Sequence, residues 1–272
     1  MDVITSQGLR MPKLGLGTWA MKGAECTEAV LGALGRGYRH IDTAEMYANE
    51  EAVGAAMATT DVPRGDIHLT TKVWSAHLAP DDLRRAFDAS QEKLRVEYVD
   101  LYLIHWPAAG MDLAAALGTM LRLQEEKRIR CIGVSNFTVA LMRQAVEEIG
   151  APITCNQVEY HVLLSQAKVL DYARAHGISI AAYCPLARGG LGKYPALAAM
   201  AKKHGASPEQ VALKWLLDQE GVAAIPKASQ AANQQANFDC QKVVLDDADR
   251  AAIAGLPKDM RIVDPASAPA WD

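Results

Sequence analysis

Four residues could together protonate an oxygen atom as it gains negative charge: Asp42, Tyr47, Lys72 and His105. Three of them close short apolar runs, Arg39–Asp42, Ile67–Lys72 and Val99–His105. Tyr47 follows Asp42 in the segment Thr43-Ala44-Glu45-Met46-Tyr47, which leads into the next helical pattern. A phenol beside an ammonium is expected to have its pKa drawn below the ordinary value of about 10, because positive charge favours the phenolate. Asp42 is expected to hold the Lys72 ammonium in place and keep it charged. His105 could donate to a carbonyl oxygen and orient it. The set has neither a strong nucleophile nor a redox centre, so the electrons must come from a second molecule. An alternative is a Schiff-base aldolase with Lys72 as nucleophile. Asp42 counts against it, because a neighbouring anion raises a lysine pKa rather than lowering it.

These side chains need a scaffold that gathers strand ends on one rim. Candidate strands, rich in Val, Ile, Leu and Tyr, are Leu14–Gly17, Arg39–Asp42, Ile67–Lys72, Val99–His105, Cys131–Ser135, Ile153–Gln157, Ile178–Tyr183 and Val222–Ile225. Helical patterns alternate with them: Thr27–Arg36, Asn49–Ala58, Pro80–Leu94, Asp112–Lys127, Val139–Glu148, Gln166–His176 and Pro208–Gln219. This even alternation predicts an α/β fold, a closed (β/α)8 TIM barrel, with Val3–Thr5 and Gln7–Lys13 as a hairpin across its bottom. No linker or composition shift divides the chain, so residues 1–272 are expected to form one barrel domain. Chemistry in such barrels lies at the C-terminal strand ends. Nearly every run here finishes on a polar or aromatic residue: Thr18 and Trp19, Ser135 and Asn136, Gln157, Tyr183 and Lys227 complete the rim. By the period of two, His40 shares the face of Asp42 and is expected inside the barrel. His161, Trp215 and Cys184 are expected to be structural.

Composition closes off other classes. A net charge of −4 offers no polyanion-binding balance, so no nucleic-acid partner is expected. No apolar run is long enough to cross a bilayer and none reads as a signal peptide, so the expectation is a cytoplasmic protein without a membrane partner. Five cysteines without a C-x-x-C pair argue against a disulfide framework and a zinc ribbon, and no metal is expected. Gly15-Leu16-Gly17 lacks the third glycine of a dinucleotide fingerprint, since Ala20 occupies it; Gly189 to Lys193 fails as a phosphate loop at Ala187 and Tyr194. Tryptophan outnumbers phenylalanine, five to three. Trp19, Trp74 and Trp106 all fall at strand ends, where they would line a substrate pocket together with His105.

The motifs at the strand ends resemble those of the aldo-keto reductases over essentially the whole chain. They are Gly15–Trp19, Gly37–Ala44 with Tyr47, Thr71–Trp74, Asp100–Pro107, Ile132–Phe137, Asn156–His161 and Ile225–Lys227. The resemblance implies a carbonyl reductase whose tetrad is Asp42, Tyr47, Lys72 and His105, with Tyr47 giving the proton. It implies NADPH as cofactor, with NADH also possible. Ser135, Asn136 and Gln157 would hold the nicotinamide carboxamide and Tyr183 would stack on the ring. Gly17, Thr18, Trp19 and Leu186 would touch the cofactor, Lys227 and Ser229 would lie at the 2′-phosphate, and Asn237 at adenine. Asn233 stands where many members have an arginine, and Gln230 supplies no cation either, which weakens the case for strict NADPH use. The short length and the ending resemble one bacterial branch, implying small polar carbonyls such as 2,5-diketo-D-gluconate or methylglyoxal. A non-catalytic nucleotide-sensing subunit on the same fold is the remaining alternative, and a monomer is expected.

Overall fold

The computed structural model describes residues 2–272. Strands β1 (Val3–Ser6) and β2 (Leu9–Pro12) form an antiparallel hairpin. Eight parallel strands follow: β3 (Leu16–Gly17), β4 (His40–Asp42), β5 (His68–Val73), β6 (Val99–Ile104), β7 (Ile129–Ser135), β8 (Ile153–Glu159), β9 (Ser179–Tyr183) and β10 (Val222–Ala224). Each pairs with the next in chain order. The circle closes where Gly15 N donates to Ala224 O at 2.9 Å and Gly17 N to Pro226 O at 3.1 Å. Closure requires glycine at position 17, because a Cβ there would lie 2.6 Å from Ile225 O. The chain is thus a TIM barrel with an N-terminal hairpin, as the alternating runs predict.

The outer ring is built from α1 (Gly23–Gly35), α2 (Glu50–Thr59), α3 (Pro80–Leu94), α4 (Leu113–Glu125), α5 (Val139–Arg143), α6 (Ala167–Ala175), α7 (Pro195–His204), α8 (Pro208–Leu217), α9 (Ala231–Asp239) and α10 (Asp247–Ala254). Pro80 opens α3 at its exact predicted bounds, and Ser207 with Gln210 caps α8 reciprocally. The predicted helix 139–148 is α-helical only to Arg143, then widens into a π turn, Gln144–Glu148. Among the described residues no helix is long and apolar enough to cross a membrane.

Two apolar layers hold the assembly. Helices pack on the outward faces of the strands, and a second cluster fills the lumen, where Ile4, Leu9 and Met11 of the hairpin meet Leu101, Leu103, Cys131 and Cys155. The hairpin is also tied polar-wise to the bottom of the barrel. Ser6 Oγ donates to Gly177 O at 2.6 Å. His40 and His68, both buried, contact Pro12 O and Arg10 O through Nδ1 at 3.0 and 3.1 Å. With its lower end plugged, the barrel is accessible at the opposite rim, where Asp42 and Lys72 lie.

Candidate active site

Adjacent strands β4 and β5 bring Asp42 and Lys72 together. The Lys72 ammonium, fully buried, donates to Asp42 Oδ1 at 2.6 Å and Thr43 O at 2.8 Å, and lies 3.3 Å from Tyr47 Oη. Tyr47 ends a single 3-10 turn, Glu45–Tyr47, after which Ala48 turns the chain with φ 49°. Asn49 pins that turn to the barrel: its amide donates to Thr18 O at 2.8 Å and Met21 O at 3.1 Å while accepting from Thr43 Oγ1 at 2.8 Å. Glu45 ties it to the next strand end by accepting from Trp74 N at 2.8 Å. His105, at the end of β6, stands edge-on between Tyr47 and Trp74, with both ring centroids 5.5 Å away. Its buried Nδ1 has no partner.

Burial, reinforced by the Asp42 carboxylate, pushes the Tyr47 phenol well above its ordinary value. The direction is opposite to the one expected from Lys72 as a neighbour. The reason is that Asp42 neutralises the ammonium at 2.6 Å, leaving desolvation of the phenolate as the larger effect. Tyr47 therefore holds its proton firmly in the resting site. Burial also lowers Lys72, against the opposing pull of Asp42, and holds His105 well below the usual imidazole range with help from the Lys72 charge. His105 is thus a neutral imidazole with one N–H to offer.

A cavity of about 670 Å³ opens above this cluster, and Asp42, Tyr47, His105, Asn136, Gln157 and Tyr183 line its inner part. Gln157 Nε2 donates to Asp42 Oδ2 at 2.7 Å, and Tyr183 Oη donates to Asn136 Oδ1 at 2.8 Å. Gly17, Trp19, Trp106, Leu186 and Lys227 also reach the wall. The remaining predicted residues do not. Lys72 lies beneath the wall, and Trp74 stands behind His105. Thr18 and Ser135 use their hydroxyls on Asp42 O at 2.9 Å and Gln157 O at 2.8 Å, bracing strand ends rather than facing the groove. Ser229 contacts Lys227 Nζ at 3.4 Å, and Asn237 is buried within α9, both off the wall. The aromatic rim includes the tail, since Trp271 meets Trp106 at 6.1 Å.

Several wall residues escape the sequence reading, among them Arg188, Glu209 and Val263. Val263 is placed by Glu159, a fully buried carboxylate that accepts from Ile262 N and Val263 N, each at 2.8 Å, and from His161 Nε2 at 3.0 Å. His161 is structural, as expected. Glu159 shares the strand face of Gln157 by the period of two, the one signal that could have marked it.

The structure is a closed parallel barrel that gathers an Asp–Lys pair, a tyrosine and a histidine at its C-terminal rim, the arrangement expected of a barrel oxidoreductase. Residues 13–257 match the Aldo/keto reductase family, and the chain belongs to that family. It is 41% identical over 268 residues to the methylglyoxal reductase DkgB of Salmonella typhi, covering 97% of this chain and 100% of that protein. It is 40% identical over 266 residues to a 9,11-endoperoxide prostaglandin H2 reductase of Trypanosoma cruzi, covering 96% and 93%. A crystal structure described as a 2,5-diketo-D-gluconic acid reductase B superposes with a TM-score of 0.97 at 39% identity, covering 100% of this chain and 98% of the other. The chain is therefore an oxidoreductase that reduces carbonyl groups of small molecules, in a family that uses NAD(P)H.

Proposed function

We propose that this enzyme reduces small polar aldehydes and ketones with NADPH, α-dicarbonyls such as methylglyoxal and keto sugar acids such as 2,5-diketo-D-gluconate among them, and that Tyr47 is the proton donor. The observation that carries the assignment is the Tyr47 hydroxyl on the cavity wall, 3.3 Å from an ammonium that is itself paired with Asp42. In the resting site the phenol keeps its proton, as a general acid must. As the proton leaves toward a carbonyl oxygen, the Lys72 ammonium beneath faces the developing phenolate. The single N–H of His105 can donate to the same carbonyl oxygen and hold it against Tyr47.

The residues present fit a nicotinamide. The Tyr183 ring, fixed through its hydroxyl to Asn136, offers a flat surface, and the amides of Asn136 and Gln157 lie beside it for a carboxamide. The bound cofactor would supply hydride to the carbonyl carbon. Leu186 and Lys227 would line the remainder of its groove. The methylglyoxal and diketogluconate reductase names of similar proteins support the substrate class. A Schiff-base aldolase is disfavoured because Lys72 is sealed below the wall and bonded to Asp42.

Tyr47→Phe tests the reading. Reduction of methylglyoxal with NADPH should fall by about 10²–10⁴-fold, while NADPH still quenches tryptophan fluorescence as in the wild type. Turnover at the wild-type rate would remove Tyr47 from the role.

A further inference from the structure

Glu209 is the second residue of α8. Its neighbours in that turn have structural partners. Ser207 and Gln210 exchange hydrogen bonds at 2.9 and 3.2 Å, and Gln210 Nε2 donates to Ala236 O of α9 at 2.9 Å. Among the described residues the Glu209 carboxylate makes no hydrogen bond or ion pair, and it lies on the wall of the large cavity with Lys227 and Asn233. An acid in the first turn of a helix is ordinarily explained by the helix dipole. That explanation does not require a place on the wall of a groove expected to hold an anionic dinucleotide.

The wall that Glu209 shares is thinly supplied with cations. Asn233, from the first turn of α9, is a neutral amide, and Lys227 and Arg188 are the cations on the wall. A phosphate carries about −1.5 to −2 charge at neutral pH and is held best by a bidentate guanidinium. A carboxylate accepts hydrogen bonds only, and a ribose hydroxyl can donate one. We propose that Glu209 sets the choice of dinucleotide: it accepts a hydrogen bond from a hydroxyl of the adenosine ribose and repels a 2′-phosphate, so that NADH and NADPH bind with comparable affinity. The inference rests on the dinucleotide reading given above and names the residue that tunes it. Glu209 does not touch the reacting atoms; its effect is on which dinucleotide the enzyme accepts.

Dissociation constants for NADPH and NADH, measured by quenching of tryptophan fluorescence at one ionic strength, test the proposal without turnover. In the wild type the two constants should lie within about tenfold of each other. Glu209→Gln removes the charge but keeps the shape, and should tighten NADPH by about tenfold while leaving NADH nearly unchanged. Glu209→Ala should tighten NADPH comparably and weaken NADH several-fold, since the acceptor is lost. Thermal unfolding of both variants should stay within about 4 °C of the wild type, because the carboxylate has no hydrogen-bond or ion-pair partner and only its interaction with the helix dipole is lost. NADPH affinity unchanged in both variants overturns the proposal. A wild type that binds neither dinucleotide overturns the cofactor reading itself, a result distinct from the first.

Discussion

Replacing Asp42 by Asn keeps the size of the side chain and an oxygen that can still accept from Gln157, yet removes the charge opposite Lys72. The ammonium is fully buried, with Asp42 Oδ1 at 2.6 Å, Thr43 O at 2.8 Å and Tyr47 Oη at 3.3 Å as its surroundings. Neither of the other two neighbours carries a full charge. Breaking a buried pair from one side costs about 3–5 kcal/mol, because the remaining ion is left uncompensated. For a chain of this size each kcal/mol lowers Tm by roughly 2–4 °C, so Asp42→Asn should melt roughly 6–20 °C below the wild type. Lys72→Met removes the other half, and the double variant should recover much of the loss, since with both charges gone no uncompensated ion is left buried. A thermal double-mutant cycle should therefore return a coupling of about 2 kcal/mol or more. Activity should fall by about 10²-fold or more in all three variants, because the support under Tyr47 is gone. Strictly additive melting temperatures would refute the reasoning, as would an Asp42→Asn protein as stable as the wild type.

Two further outcomes follow from buried polar groups. His40, His68 and His105 are all held below the usual imidazole range, each chiefly by burial. Unfolding lets each take up a proton below about pH 6.5, so the stability they confer is complete above that pH and is lost as pH falls, by up to about 1.4 kcal/mol per pH unit for each histidine. Urea midpoints should drop between pH 7 and about pH 5, and His68→Gln should flatten the slope by about a third; a pH-independent midpoint would contradict the buried, neutral state. Glu159→Ala should release the segment from Ile262 onward by removing the acceptor for two backbone donors, at a cost of about 3 kcal/mol. The expected signature is a several-fold rise in KM for carbonyl substrates with new protease cleavage in the tail, and unaltered KM with full protease resistance would rule it out.

The barrel and most of the inner site were legible because their signals are local. Each apolar run ends on its polar residue, so Asp42, Lys72 and His105 could be placed on one rim from strand periodicity alone. Partnerships that cross the fold were not legible. Glu159 accepts from Ile262 and Val263, more than a hundred residues along the chain, and no local pattern announces that contact. Thr18 and Ser135 stand at strand ends like their neighbours, but their hydroxyls turn back to backbone carbonyls, a choice of rotamer rather than of residue type. The Tyr47 phenol moves opposite to expectation because adjacency to Lys72 could be inferred, while the balance between the Asp42 charge and desolvation could not. Glu209 was obscured by an ordinary helix-start explanation and becomes distinctive only when the cavity wall is known.

The hydrogen bond from Gln157 Nε2 to Asp42 Oδ2, at 2.7 Å, joins the cavity wall to the buried Asp42–Lys72 pair. One amide steadies the carboxylate beneath the Tyr47 hydroxyl and also lines the cavity in which, on the proposed function, a carboxamide would sit. A nicotinamide that drew on Gln157 would be felt at Asp42, then at Lys72, then at the tyrosine hydroxyl. The arrangement has the character of an interlock: the acid would be poised according to whether a reductant is in position, so that proton and hydride are delivered in step, with a single side chain as the link.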